Sequence, residues 1–320
     1  MKIKKSRQFI INNNEVGRRI DNFLLTRFKD IPKSKIYRII RKGEVRINSG
    51  RIKPKYKIQE GDLLRIPFLE MRRKKTIFLD KFNQIDLLVN NILYEDEYLL
   101  ILNKPSGMAV HGGTKIQFGI IEILRVLRSE TYFLELVHRL DRDTSGILLI
   151  AKKLSALRTL HEQLRMKTIQ KEYLALVKGQ WPSHIKVIKE PLLNNVLKNG
   201  QRIVQVSING KYAETNFEIK ERFVNTTLLK VIPITGKKHQ IRVHTQYVKH
   251  PIIFDHLYGD SNFNKQLNIT GLKRIFLHAN ILVFTHPLTG ERLSFKAPLD
   301  EQLQTCLIKL RKELKLIKLL

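Results

Sequence analysis

The feature that most constrains this chain is an abrupt change of character within residues 137–153, VHRLDRDTSGILLIAKK. The apolar run ILLIA, at 147–151, is typical of a short strand buried in a protein core. The charged segment HRLDRD precedes this run, and the small turn TSG separates the two. Loops at the ends of buried strands are common places for functional sites. The sequence therefore predicts a buried strand with two carboxylates, Asp141 and Asp143, at its entrance.

The charge of the chain indicates a polyanionic partner. The 320 residues include 59 Lys and Arg against 29 Asp and Glu, which gives a net charge of +30. Residues 1–75 hold 23 Lys and Arg but only 7 Asp and Glu, so about half of the surplus lies in under a quarter of the chain. A surplus concentrated in this way favours nucleic-acid binding, although biased composition would also produce a basic chain.

Composition argues against several other classes of protein. The single cysteine, Cys306, excludes an intrachain disulfide and a metal site built on several thiolates. The start MKIKKSRQFIINNN is too weakly apolar for a signal peptide, and no apolar run approaches the ~20 residues of a membrane helix. Because H-E-x-x-H and comparable zinc motifs are missing, we expect no metal. We expect a soluble, cytoplasmic protein that is monomeric and makes no membrane contact.

Residues 17–75 predict a small basic α/β domain. Apolar residues recur at helical spacing within 17–29, and again within 32–43, where Pro32 suits the start of a helix and Gly43 its end. Short strands around the turn Ser49-Gly50 follow. Basic side chains gather on the second helix and the strands, and we expect the following to contact RNA: Lys33, Lys35, Arg38, Arg41, Lys42, Arg46 and Lys53. A solvated helix surface is the alternative interpretation of this face.

This segment resembles the S4 RNA-binding domain. The resemblance rests on GRRIDNFL, PKSKIYRIIRKGEVRINSGRIKP and the closing GD-LLRIP, and it covers roughly residues 17–75. It implies binding of structured RNA and no catalysis.

The remainder of the chain predicts a larger α+β domain. Apolar strands and amphipathic helices follow one another from YLLIL at 98–102 to the basic tail helix, without internal repeats. We expect a mixed, largely antiparallel sheet with flanking helices. The predicted boundaries are an N-terminal extension at 1–16, the S4-like domain at 17–75, a linker at 76–91 and the catalytic domain at 92–320.

Familiar catalytic motifs are missing, and short polar clusters remain. The chain has no Walker loop, no G-x-G-x-x-G at a helix start and no G-x-S-x-G elbow. Polar clusters instead follow apolar elements, and each by itself could be an ordinary turn. They are NKPSGMAVHGG (103–113), VHRLDRDTSG (137–146), QKEYLALV (170–177), TGKKHQIRVHT (235–245) and HPIIFDHLYGD (250–260).

Taken together, these clusters resemble the pseudouridine synthases of the large-subunit rRNA and tRNA type. The family hallmark H-R-L-D-x-x-T-S-G is present without departure at 138–146. The other four clusters correspond as well, and the resemblance covers about residues 90–300. Family members often have Arg-Thr where this chain has Lys237-Lys238, a change that keeps the basic character. The implied substrate is large-subunit (23S) ribosomal RNA, and the implied reaction isomerises a flipped-out uridine without a cofactor.

The resemblance also implies roles for individual residues. Asp141 is the implied nucleophile, attacking either C1′ of the ribose or C6 of the base. Arg242 is its implied partner, because a bidentate guanidinium would keep a buried carboxylate ionised. Tyr173 would stack on the uracil and take up a proton.

Further residues have weaker assignments. We expect Lys104, His138 and Arg139 to hold the flipped nucleotide or its phosphates. Asp143 occupies a free position of the hallmark, beside Arg142, and is expected to serve as a turn or surface partner. Two alternatives stay open: a synthase acting on a different rRNA or tRNA site, and a non-catalytic RNA-binding ribosome assembly factor.

Overall fold

A computed structural model of the chain describes residues 6–12, 15–28, 31–69, 82–113, 118–128, 131, 133–196 and 202–319. The chain divides into two compact units, Met1–Phe82 and Asn83–Leu320. In the described residues no helix is both long and apolar enough to cross a bilayer.

The first unit is a small sheet with two helices. Its elements are β1 (Arg7–Ile10), α1 (Ile20–Arg27), α2 (Lys33–Arg41), β2 (Arg46–Ile47), β3 (Gly50–Arg51) and β4 (Leu63–Ile66). The strand order is β1-β4-β2-β3. The two predicted helices are confirmed, and α2 buries the expected stripe of Ile36, Ile39 and Ile40. Its opposite face therefore stays free for the basic side chains.

The predicted N-terminal extension at 1–16 differs from the structure. Strand β1 pairs with β4 in register Arg7 to Ile66 and so belongs to the sheet of the first unit. The sequence did not predict this strand, because its four residues show little alternation of polar and apolar side chains. A strand at the edge of a sheet pairs on one side only and needs little burial. Within this predicted extension, residues 1–5 and 13–14 lie outside the described residues.

The second unit is built on one large sheet. Its helices are α3 (Phe82–Val89), α4 (Ile120–Leu127), α5 (Leu154–Arg165), α6 (Gln240–Tyr247), α7 (Ser261–Gln266) and α8 (Glu301–Leu319). Its strands are β5 (Ile92–Glu95), β6 (Leu99–Lys104), β7 (Glu135–Leu136), β8 (Ser145–Ala151), β9 (Gln170–Lys178), β10 (Val187–Ile188), β11 (Leu192–Val196), β12 (Arg202–Val206), β13 (Thr215–Arg222), β14 (Thr226–Pro233), β15 (Leu277–Thr285) and β16 (Arg292–Lys296).

The sheet of the second unit is mixed and largely antiparallel, as predicted. Its order is β10-β13-β14-β9-β15-β8-β6-β5, with β16 added to β15 and β7 added to β8. Strands β8 and β15 run parallel, and the other strand pairs found among the described residues are antiparallel. The hairpin of β11 and β12 stands apart as a two-stranded sheet.

Strand β8 is the buried strand that the apolar run predicts. Every residue of β8 is buried, and its side chains alternate between two hydrophobic clusters. Leu148 and Ile150 pack on the α4 side, whereas Ile147 and Leu149 pack on the α5 side. Because both faces are covered, the residues just before Ser145 are held at a rigid edge of the core.

The predicted linker at 76–91 differs from the structure. Residues 76–81 lie outside the described residues, but 82–89 form helix α3, whose Leu88 is fully buried in the cluster around α4. The segment gave no clear helix signal because its polar residues interrupt the apolar periodicity, and burial of Leu88 against the second unit decides its conformation.

Candidate active site

The hallmark loop is anchored where β8 crosses β15. Gly146 has a φ of +104° and lies opposite Ala279 in the parallel pairing of the two strands. A side-chain carbon at Gly146 would lie 2.2 Å from the Ala279 carbonyl oxygen. Both the conformation and the close approach therefore require glycine at this position of the hallmark.

The hydroxyl of Ser145 belongs to a buried hydrogen-bond chain. His278 Nε2 lies 3.2 Å from the Ala297 carbonyl oxygen, and its Nδ1 lies 2.8 Å from Ser145 Oγ. Burial lowers the pKa of His278 to about 4, so the ring is neutral, donates from Nε2 and accepts from Ser145. Arg274 Nη2 donates to the same Oγ at 2.8 Å. The base of the hallmark loop is thereby fixed to β15 and its neighbours.

Lys104, at the end of β6, contacts the backbone of the hallmark loop. Its side chain is fully buried, and Nζ donates to the carbonyl oxygens of Pro105 at 2.8 Å, Met108 at 2.9 Å and Arg142 at 2.9 Å. All three ammonium donors are therefore used inside the protein. The expectation that Lys104 holds the nucleotide does not agree with this geometry, which gives it a positioning contact to the hallmark loop.

The NKPSG turn makes further contacts to the same backbone. Ser106 Oγ donates to the Asp143 carbonyl oxygen at 2.7 Å, and the Gly107 N–H donates to the Arg142 carbonyl oxygen at 2.9 Å. Two segments that are far apart in sequence thus fix the backbone just beyond Asp141. This linkage gives the NKPSG cluster a physical reason to accompany the hallmark.

Arg242, on α6, contacts Asp141, as the sequence indicated, but through one nitrogen and not bidentately. Its Nη1 donates one hydrogen bond to Asp141 Oδ2 at 3.2 Å. Its Nε and Nη2 instead donate to Asp255 Oδ2 at 2.7 Å and Oδ1 at 2.8 Å. The bidentate contact that was expected with Asp141 is formed with Asp255 instead. The guanidinium therefore bridges the two carboxylates.

Asp255 is one of the site residues that sequence reasoning missed. Burial by itself would raise its pKa, but the hydrogen bonds and charge of Arg242, with backbone N–H donors of Leu257 and Tyr258, lower it below its usual range. The HPIIFDHLYGD cluster contains this residue. A lone carboxylate after the apolar stretch PIIF was the available signal, and the partner 13 positions earlier could not be read from spacing.

His239 lies on another side of Asp141. Its Nε2 is 3.7 Å from Asp141 Oδ2, and its Nδ1 is 2.8 Å from the Tyr258 hydroxyl. The Val204 N–H donates to that hydroxyl at 2.9 Å, so the Tyr258 proton is directed to His239 Nδ1. Burial lowers the pKa of His239 to about 4, and the neutral ring then carries its proton on Nε2, facing the carboxylate.

Tyr173 lies on β9 between β14 and β15. It is opposite Val231 on one side and Ala279 on the other, and it is half-buried. Burial and, to a lesser extent, the charge of Asp141 raise the pKa of its hydroxyl, so it is protonated at neutral pH.

The other predicted residues beside Asp141 have different environments. The Leu149 N–H donates to His138 Nε2 at 3.1 Å, and burial, followed by the charge of Lys171, lowers the pKa of His138 to about 4. His138 is therefore a neutral ring tied to β8, whereas Arg139 is exposed at the cavity.

Asp141 and Asp143 are clearly different. Asp143 pairs with Arg142 at 3.0 Å, and both side chains are well exposed, at 39% and 61%. Asp141 is 22% exposed and lies between Arg242 and His239. Asp143 thus forms a surface ion pair with the neighbouring Arg142.

Asp141 faces open space on both sides. Two cavities of about 480 and 600 Å³ share Asp141, His239 and Arg242 as lining residues. The larger cavity also includes Tyr173, His138 and Arg139 in its wall. Five of the six predicted catalytic and nucleotide-holding residues therefore surround one cavity, and Lys104 lies outside it.

The predicted RNA-binding residues of the first unit form an open basic surface. Lys33, Arg38, Arg41, Lys42 and Lys53 are exposed, and Lys35 is half-buried. Arg46 has a structural role as well, because its Nε donates to the Gly43 carbonyl oxygen at 3.1 Å.

Comparison with known proteins matches both units. Residues 98–247 match a family model described as RNA pseudouridylate synthase, and residues 18–64 match the S4 domain. A human structure named RNA Pseudouridylate Synthase Domain Containing 4 aligns with a TM-score of 0.59 at 27% identity, covering 72% of this chain and 96% of that chain.

Relatives of similar length match nearly the whole chain. A Haemophilus influenzae protein named ribosomal large subunit pseudouridine synthase C is 61% identical over 302 residues, which cover 94% of each chain. The Escherichia coli K12 protein of the same name is 58% identical over 304 residues, covering 94% of this chain and 95% of its own.

Proposed function

The chain belongs to the ribosomal large subunit pseudouridine synthases, and from that premise we propose how its active site works. The enzyme isomerises uridines of large-subunit ribosomal RNA to pseudouridine. The C1′–N1 bond is cut, the uracil turns, and C5 becomes the point of attachment. The substrate keeps all its heavy atoms, and a nucleophile that holds one fragment covalently would keep the two pieces together while the uracil turns. We assign that role to the Asp141 carboxylate and propose that no cofactor takes part.

The observation that carries this assignment is the environment of Asp141. Arg242 donates to it at 3.2 Å, and Asp255 holds that guanidinium through two further hydrogen bonds. Burial would lower the pKa of Arg242, but the two carboxylates outweigh burial and raise it, so its charge is permanent. The proposed nucleophile thus lies beside a fixed positive charge, 3.2 Å from its Oδ2.

Two routes are compatible with a nucleophile at this position. Asp141 can attack C1′, in which case the electron pair of the C1′–N1 bond remains on the uracil. It can instead attack C6, in which case the pair of the C5–C6 double bond moves toward C5 and the O4 carbonyl. Both routes leave negative charge on the base.

Tyr173 contacts the uracil ring in this proposal. Its half-buried ring lines the cavity of about 600 Å³ beside Asp141, which supports stacking against the extruded uracil. Its hydroxyl has a raised pKa and is therefore protonated, so it donates a hydrogen bond toward the base and does not itself accept a proton.

Groups other than Asp141, Arg242 and Tyr173 hold the RNA. The exposed Arg139 and the neutral ring of His138 line the cavity, and we propose that they contact the flipped nucleotide. The basic surface of the first unit, centred on Arg38 and Arg41, contacts RNA phosphates. We further propose that the protein acts as a monomer in the cytoplasm.

Pseudouridine mapping tests the assignment. Ribosomal RNA from cells lacking this protein should lose specific pseudouridines, and restoring the wild-type gene should return them. The Asp141→Asn variant should bind RNA but restore none of them, whereas Asp143→Asn should restore all. Restoration by Asp141→Asn would refute the nucleophile assignment.

A further inference from the structure

Lys171 is a cation of the active-site cavity that no step above uses. It lies on β9, two residues before Tyr173, and both side chains line the cavity of about 600 Å³. Among the described residues, no hydrogen bond or ion pair involves its ammonium group. Burial lowers the pKa of Lys171, which indicates a charge that water and carboxylates compensate poorly.

The surroundings explain why the Lys171 ammonium has no partner among the described residues. The neighbouring Glu172 points to the opposite face of the sheet, where Asn280 donates to it at 3.2 Å and Lys230 approaches to 3.8 Å. On the cavity side, Asp141 is the only carboxylate among the described lining residues, and Arg242 donates to it. On another side, a side-chain carbon at Gly236 would lie 4.0 Å from Lys171 Nζ, so a residue without a polar side chain borders the ammonium.

Lys171 and Tyr173 are spaced so that both side chains can contact a single uracil ring. Side chains two apart on a strand emerge from the same face about 7 Å from one another. A uracil stacked on Tyr173 would therefore bring one of its carbonyl oxygens within reach of Lys171 Nζ.

We propose that Lys171 is a catalytic residue that binds a carbonyl oxygen of the flipped uracil and stabilises the negative charge that forms there. This inference rests on the proposed function of Asp141. With attack at C1′, the new bond is between Asp141 and C1′, and the electron pair of the broken C1′–N1 bond is spread over N1, O2 and O4. With attack at C6, the new bond is between Asp141 and C6, and the displaced pair of the C5–C6 double bond is spread over C5 and O4. The ammonium therefore serves both routes without transferring a proton.

The same anion-binding chemistry could serve an RNA phosphate, but the position favours the base. Exposed cations of the cavity suit phosphates, which remain hydrated; these are Arg139, Arg165, Lys167, Lys237 and Lys238. Lys171 is instead half-buried beside Tyr173. An ammonium in such a water-poor position interacts more strongly with charge that develops during the reaction.

The test separates the rate of the chemical step from RNA affinity. Wild-type protein and the Lys171→Met variant are mixed in excess with large-subunit rRNA transcript carrying tritium at C5 of uridine. Tritium release gives the single-turnover rate, and filter binding gives Kd. We expect Lys171→Met to lower the rate by about 100-fold, since loss of one group that stabilises developing charge has this effect. The Kd should stay within about two-fold of wild type.

Two further variants complete the design. Lys230→Met removes one Lys from the other face of the sheet and should match wild type in both measurements. Lys171→Arg keeps the charge and should recover part of the rate. A rate for Lys171→Met near wild type would overturn the proposal, and so would an increased Kd with a shallower salt dependence, because that result assigns Lys171 to a phosphate. An active Asp141→Asn variant would refute the proposed function instead, so the two failures are distinguishable. Thermal unfolding of Lys171→Met checks that it folds.

Discussion

Asp255 engages the guanidinium of Arg242 through both of its carboxylate oxygens, at 2.7 and 2.8 Å. With Nε and Nη2 directed toward Asp255 in this way, Nη1 is the nitrogen that donates to Asp141. The orientation of the group that supports the nucleophile is thus set by a second carboxylate, which is 4% exposed. Asp255 is a positioning residue in this arrangement, because it acts on Asp141 only through Arg242.

Replacing Asp255 by Asn should damage the chemical step more than RNA binding. The Asn side-chain oxygen can keep the contacts of Oδ1, but its NH2 group then faces the Arg242 Nε–H, donor against donor. We expect a roughly 100-fold lower single-turnover rate, because a small displacement of Arg242 misplaces the charge beside Asp141. Single-turnover assays with Kd measurements check this. Asp143→Asn, which changes an exposed carboxylate, is the control, and an Asp255→Asn rate near wild type would contradict the positioning role.

Gly146→Ala should destabilise the second unit severely. The new side-chain carbon would lie 2.2 Å from the Ala279 carbonyl oxygen, on a backbone with φ of +104°. Separation of β8 from β15 and the strained backbone should together cost about 3 kcal/mol or more. Gly290→Ala is a matched control, because its φ is +72° with nothing within 4 Å, and it should cost only about 1 kcal/mol. Denaturant unfolding measures both, and equal losses would show that the approach of β15 is unimportant.

Acid should destabilise the protein partly through His278. Its folded pKa is about 4 against an ordinary value of 6.5, so the unfolded chain takes up a proton first as the pH falls. Stability is therefore fully present above about pH 6.5 and declines toward pH 4, by about 3 kcal/mol in total for this group. The unfolding free energy of a His278→Gln variant should fall less steeply than that of wild type across this range. Parallel pH dependences for the two proteins would argue against a buried neutral His278.

The basic surface of the first unit should account for part of the salt dependence of RNA binding. Each phosphate contact contributes about 0.7 to 0.9 to the slope of log K against log salt concentration. The Arg38→Ala, Arg41→Ala double variant should therefore weaken rRNA binding and reduce that slope by roughly 1.5. The Lys309→Ala, Lys312→Ala double variant removes the same amount of charge from α8 and should leave the slope unchanged. Equal effects of both pairs would indicate a response to net charge alone.

The sequence by itself determined the local features of this protein. The apolar run 147–151 required a strand buried on both faces, and the stripe of Ile36, Ile39 and Ile40 required an amphipathic helix. The hallmark at 138–146 identified the family and singled out Asp141. These features depend on neighbouring residues, whose periodicity and motif spacing are written directly in the chain.

The tertiary structure alone decided the partnerships between distant residues. It gave the bidentate contact of Arg242 to Asp255 rather than to Asp141, and it used all three donors of Lys104 inside the protein. It also left Lys171 in the cavity without a partner among the described residues. Hydrogen-bond partners are chosen by distance and direction in space. Pairs such as Lys104 and Arg142 meet only after the sheet has brought β6 and β8 side by side.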